Sequence, residues 1–80
     1  MKIAILGYGV EGESIYNYYR AKFPDADFIA YDNKLEPKNA LSADIEFIGG
    51  VQDFKGITAD LAIKTPAIPP SMVKVTGEVT

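Results

Sequence analysis

The stretch KIAILGYGVEGES (residues 2–14) decides how the rest of the chain is read. KIAIL is a short, continuous apolar run ended by glycine. That is the pattern of a strand buried on both faces of a parallel sheet. Behind it, GYGVEG carries G-x-G-x-x-G at Gly7, Gly9 and Gly12, and a helical pattern follows. In that context each glycine has a mechanical role. Gly7 permits a tight turn out of the strand, Gly9 lets a phosphate approach the backbone with no Cβ in the way, and Gly12 lets the helix pack closely. The helix opens with free N–H groups and a partial positive end aimed at an anion. Ser14 is expected in the first turn, where it would add a hydroxyl or a cap.

Outward from this stretch, residues 12–22 read as a helix. Ile15, Tyr19 and Phe23 recur at i, i+4 and i+8, with Tyr18 beside them, so one face can lie on a sheet. Pro24 ends the helix. DFIAY (residues 27–31) is a second strand, closed by Asp32 and Asn33, which completes a strand–glycine turn–helix–strand unit. Residues 34–43 are polar and read as a loop with room for one helical turn. IEFI (residues 45–48) is a third strand, ended by Gly49 and Gly50, and VQDFKGI (residues 51–57) is a loop or a short helix. DLAIK (residues 60–64) is a fourth strand. Residues 65–70 contain three prolines and are extended or turning, and residues 73–75 form a last short strand. The expected fold is α/β: a parallel sheet of four to five strands with flanking short helices, in one domain spanning residues 1–80.

Composition excludes several functions. The chain has no Cys and no His, which removes thiol catalysis, disulfides, imidazole general-base chemistry and the usual zinc sites. The formal net charge is −3 and the eight Lys and Arg are scattered, against nonspecific nucleic-acid or anionic-membrane binding. The first apolar run is too short for a signal-peptide core or a membrane span, and the expected compartment is the cytoplasm.

A doubly wound sheet binds ligands at the carboxyl ends of its strands. Here those ends are residues 7–12, Asp32 and Asn33, Gly49 and Gly50, and residues 65–68. Asp32 lies twenty residues after Gly12 (12 to 32), where an NAD site places an acid for the ribose hydroxyls. The same carboxylate could accept the N–H of a pyrimidine base, or bond its own backbone as a strand-end turn residue. Glu11 and Glu13 suit a helix N-terminus but repel a diphosphate unless they face solvent. Three readings stay open on spacing: an NAD(P)-binding module of a dehydrogenase or regulatory protein, another phosphate-bearing nucleotide, and a small flavodoxin-like domain with no nucleotide.

DLAIKTPAIPP (residues 60–70) is similar to the D-h-h-h-x-S-P-G-I/V-P segment (h, apolar) of the Mur ligases, the ATP-dependent amino-acid ligases of peptidoglycan synthesis. ILGYGVEGES (residues 5–14) resembles the G-x-G-x-[T/S/E]-G-x-S loop of that family, most closely in the branch that adds D-glutamate to UDP-N-acetylmuramoyl-L-alanine. VTGEVT (residues 75–80) resembles the passage that closes the family's first domain. The resemblance covers nearly the whole chain, with its motifs in the family's order.

The resemblance implies a Rossmann-like first domain that holds the UDP end of a UDP-sugar and does not use NAD. The glycine loop, with Gly7, Gly9, Val10, Glu11, Gly12 and Ser14, would offer backbone N–H groups to the diphosphate. Asp32 and Asn33 would face the uracil, and Thr65, Pro66 and Ala67 would wall the ribose and diphosphate. Thr65 stands where Ser is common, Ala67 where Gly is common, and Glu11 where many members have a small hydroxyl residue. No G-x-x-x-x-G-K-[S/T] run is present. In family terms, ATP and Mg2+ belong to a central domain, the partner expected of this one. The chain is therefore expected to be an isolated N-terminal domain that binds UDP-N-acetylmuramoyl-L-alanine but has no catalytic residue, metal or cofactor of its own.

Overall fold

The apolar run at the start of the chain forms β1 (Lys2–Leu6), and the burial of every residue from Ile3 to Leu6 explains its lack of alternation. In a computed structural model, which describes residues 1–37, 44–66 and 68–80, with the backbone alone at Val10, β1 is followed by α1 (Val10–Lys22), β2 (Asp27–Tyr31), β3 (Ile45–Ile48), β4 (Phe54–Ile57), β5 (Leu61–Lys64), β6 (Val73–Val75) and β7 (Glu78–Val79). A 3-10 turn occupies Pro70–Met72. Five strands make one parallel sheet in the order β3-β2-β1-β5-β7, while β4 and β6 form a separate parallel ribbon.

Strand alternation sends the central side chains to two cores. Ile3, Ile5, Phe28, Ala30, Ile45 and Ile63 face α1, where Tyr16 is buried and Ile15, Tyr19 and Phe23 pack against them. Ala4, Leu6, Ile29 and Ala62 face the ribbon, meeting Phe54, Ile57, Val73 and Val75. Ile3, Ile5 and Leu6 are completely buried, and each contributes roughly 1.5–3 kcal/mol of hydrophobic stabilisation.

The sheet is parallel with five strands, at the upper end of the expected number, and of the flanking helices expected one, α1, is present among the described residues. One helix covers one face, and a strand ribbon covers the other. The segment 51–57, read as a loop or short helix, contains β4. Phe54 and Ile57 turn inward, and Gly56 has φ +75 at the point where the register to β6 shifts, a conformation foreign to a helix. The short strand at residues 73–75 exists, but it pairs with β4 rather than joining the main sheet. The closing passage holds β7, an edge strand on β5. The helix starts at Val10, two residues earlier than expected, and Tyr18 is exposed while Tyr16 takes the buried place. Residues 38–43 of the polar loop, and Ala67, lie outside the described residues. Among those described, no helix is long and apolar enough to cross a membrane.

Arg20 clasps the amino edge of this structure. Its guanidinium donates to the carbonyls of Pro24 and Ala26, both at 2.9 Å, lies 4.4 Å from the Phe28 ring centroid, and pairs with Asp44 at 2.9 Å. The Tyr16 hydroxyl donates to the Asp44 carboxylate at 2.5 Å. That hydrogen bond, helped by Arg20, holds the Asp44 carboxyl below its ordinary value. A carboxylate with a depressed folded pKa stabilises the protein above its unfolded pKa of about 3.9, and this contribution disappears as pH falls through the lower folded value. Tyr16→Phe should therefore lower the melting temperature at pH 6, and the gap to wild type should narrow below about pH 4. A gap that stays constant from pH 6 to pH 3 contradicts the assignment of that stabilisation to Asp44.

Candidate functional site

All parallel strands of the main sheet deliver their carboxyl ends to one edge, and the loops beyond them interlock there. Gly7 N–H donates to the Tyr31 carbonyl at 2.7 Å, binding the loop after β1 to the end of β2. Asp32 N–H donates to the Ile48 carbonyl at 3.0 Å, and Val51 N–H donates to the Asp32 carbonyl at 3.1 Å, tying in β3. Gly50 N–H donates to the Lys34 carbonyl at 3.0 Å. On the other side of β1, the loop after β5 reaches over Gly7. A Cβ built on Gly7 would stand 3.2 Å from Ile68 Cδ1 and 3.5 Å from Thr65 Oγ1. The chain thus meets itself between β1 and β5, where the strand sequence turns from one side of β1 to the other.

The glycine loop has the geometry its spacing predicts. Gly7 adopts φ +86, which a side chain would resist, and it turns the chain out of β1. Gly12 is buried, and a Cβ there would meet the Gly7 carbonyl oxygen and the Tyr8 ring at 3.0 Å. The helix start therefore sits directly on the turn that precedes it. Gly9 is different: no atom lies within 4 Å of a Cβ placed on it, so the space in front of it is open.

Gly9 is also the N-cap of α1, and no side chain caps that terminus. The first N–H groups of a helix have no intrahelical acceptor, and Gly12 N–H turns back to the Gly9 carbonyl at 3.1 Å. The helix start places Val10 and Glu11 in its first turn, so their backbone groups belong to the positive end of the helix dipole. Ser14 falls in the second turn rather than the first, because the helix begins at Val10, and it is exposed. It is therefore not the cap. Glu11 and Glu13 are both exposed. Burial, with the nearby Glu13 charge adding to it, raises the pKa of Tyr8.

Asp32 is the buried carboxylate of this edge, 9% exposed. Its Oδ2 accepts Tyr8 N–H at 2.8 Å and its Oδ1 accepts Lys34 N–H at 3.1 Å. The second bond is the self-turn that a strand-end aspartate forms. The first reaches across to the glycine loop. Asn33 is exposed, Thr65 is half-buried, Pro66 is exposed in the turn that follows β5, and Ala67 lies outside the described residues.

Gly7, Gly9, Gly12, Asp32 and Thr65 are thus gathered at one edge, with Asn33 and Pro66 on its surface. Sequence reasoning missed three participants. Tyr8 supplies the N–H that Asp32 holds and the ring beneath Gly12. Ile68 closes over Gly7, and Leu35, 83% exposed, lies beside Gly50. Only Ile68 had a signal, as an apolar residue among prolines. Surface grooves lie elsewhere, at the amino edge against Asp27, Phe28, Asp44, Ile45 and Glu46, and along the ribbon against Gly56, Ile57, Lys74, Val75 and Thr76. The carboxyl edge presents backbone donors and an open approach. Among the described residues no three Asp or Glu side chains gather to hold a metal ion. An uncapped helix N-terminus has backbone N–H groups that can bind an anion.

No protein-family model, no curated protein and no solved structure matches this chain.

Proposed function

We propose that this chain is the UDP-binding N-terminal domain of a Mur ligase, of the branch UDP-N-acetylmuramoylalanine–D-glutamate ligase, and that its fold is Rossmann-like. The observation that carries the reading is the meeting of the glycine loop with Thr65 and Ile68 between β1 and β5. Counting only main-sheet strands in chain order, β3-β2-β1-β5-β7 is the order 3-2-1-4-5 of a doubly wound sheet. In such sheets the ligand crevice lies where the order reverses, beyond the carboxyl ends. The two segments that resemble the ligases, residues 5–14 and 60–70, are the two that bound this crevice.

On this reading the diphosphate lies in the open space before Gly9, against the N–H groups of the first helical turn, including those of Val10 and Glu11. The uracil lies over Asn33 with Asp32 behind it, and Leu35 offers it an apolar surface. Thr65 and Pro66 wall the ribose side. Glu11 and Glu13 remain in solvent. In the whole ligase a central domain would hold ATP and Mg2+; the UDP-muramoyl-peptide carboxylate would take a phosphoryl group from ATP, releasing ADP, and the amine of D-glutamate would displace phosphate from that acyl phosphate to form the amide. This chain binds substrate in the cytoplasm and performs none of that chemistry. In the dehydrogenase alternative the strand-end acid takes a ribose hydroxyl. The resemblance of residues 60–70 to the ligases' proline segment, which an NAD site does not require, favours the UDP reading over NAD.

The test is a titration of the chain with UDP, UDP-N-acetylmuramoyl-L-alanine and NADH, followed by amide shifts. UDP compounds should move the resonances of Gly9 and Glu11 with dissociation constants of ~1 mM, an affinity of about 4 kcal/mol, as suits an open site. Shifts at those residues with NADH and none with the UDP compounds would reject the ligase reading.

A further inference from the structure

We infer that Asp32 is a positioning residue, whose carboxylate holds the glycine loop in the shape that presents its N–H groups to a diphosphate. The inference rests on the nucleotide reading above and assigns Asp32 a role beyond any contact with the base.

Four hydrogen bonds from three strand-end segments fix this residue. Its N–H and carbonyl are tied to Ile48 and Val51 around β3, and its carboxylate accepts Lys34 N–H and Tyr8 N–H. The bond to Tyr8 is the consequential one. It fixes the Gly7–Tyr8 peptide plane, whose carbonyl oxygen lies, with the Tyr8 ring, so near Gly12 at the helix start that a Cβ there would stand 3.0 Å from each. Orientation therefore passes from the carboxylate to one peptide plane, and from that plane to the helix terminus. Tyr8 N–H is withdrawn from the ligand, so the donors facing the anion begin at Gly9.

Charge makes the proposal sharp. A carboxylate behind a phosphate loop repels the phosphate. Its removal should strengthen diphosphate binding if repulsion is its main effect, and weaken it if positioning is. Asp32→Asn preserves the shape but turns one acceptor into an N–H donor, which cannot serve both backbone donors.

The probes are inorganic pyrophosphate, which has no base, and UDP, titrated into the chain with amide shifts as readout and the Ile3 and Ile5 amides as a check of the fold. Asp32→Asn should weaken both ligands about tenfold, the scale of a lost charged hydrogen bond, while Asn33→Ala should weaken UDP alone. Pyrophosphate binding unchanged or tighter in Asp32→Asn overturns the inference, and leaves the nucleotide reading standing if wild type binds UDP. Wild type binding neither probe at ~10 mM removes the nucleotide reading itself. Should Asp32→Asn unfold, wild type decides. On saturation with pyrophosphate the Gly9 and Glu11 amides should move and Tyr8, already held, should stay. Tyr8 moving as far as Gly9 overturns the inference.

Discussion

Gly9→Val is expected to abolish binding of UDP and of pyrophosphate while leaving the fold unchanged. The position is unusual among the loop glycines because nothing in the protein occupies the space in front of it. A side chain there projects into that open space rather than into the core. The space it would fill is the one the diphosphate needs, beside the uncapped start of α1. Displacing the phosphate by even the width of a methyl group breaks several short N–H contacts together, and the loss should exceed about 1.4 kcal/mol, or tenfold. Amide-shift titration measures the binding, and a thermal melt measures the fold. Unchanged binding in Gly9→Val takes the loop out of the site. Loss of binding with a matching loss of fold leaves the steric argument without support.

The largest effect on stability is expected at Phe54. It is 5% exposed on β4 and packs in the core between the ribbon and the main sheet, with Leu6, Ile29 and Ala62 among its cluster. Truncation of a buried phenylalanine to alanine costs about 3–5 kcal/mol, transfer and cavity contributions together. Eighty residues at roughly 0.05–0.15 kcal/mol each give about 4–12 kcal/mol in total, so Phe54→Ala should remove from about a quarter to all of the stability. Urea unfolding at 25 °C measures this, with Leu35→Ala as a control expected within about 0.5 kcal/mol of wild type, since that side chain is 83% exposed. A cost of 1 kcal/mol or less at Phe54 means that the ribbon is not an integral second layer.

The ribbon is also where sequence reasoning reached its limit. In residues 51–57, Phe54 and Ile57 are three apart, a spacing that suits a helix face as well as a strand interrupted at Gly56. Nothing within those seven residues decides between them. β4 exists because it pairs with β6, sixteen residues or more away, and because the sheet face under both needs covering. β7 has only two residues, too few for periodicity to register, and is formed by its partner β5. Tyr18 and Tyr16 are both aromatic, and which of them is buried depends on how α1 is rotated over β1 and β2. By contrast, β1, β2 and β3 were legible at their exact bounds, β1 and β2 as runs buried on both faces and the edge strand β3 as a short run closed by Gly49 and Gly50.

The candidate site divides in the same way. The glycine spacing, the strand before it and the helix after it were readable, because φ > 0 at Gly7 and the close approach at Gly12 are demands on single residues that only glycine meets. The role of Asp32 was not, since a strand-end acid facing a ligand and one facing a loop have the same sequence.

By itself, then, the sequence determined the parallel strands at the centre and the turn that leaves β1, both of which follow from local burial and from the conformational freedom of glycine. Tertiary structure alone decided that a strand ribbon backs the sheet, that the proline segment closes over Gly7, and that the carboxylate of Asp32 points at Tyr8 N–H. Each of those depends on partners distant in the chain, and hydrogen bonds or packing between distant residues leave no trace in the spacing of near ones.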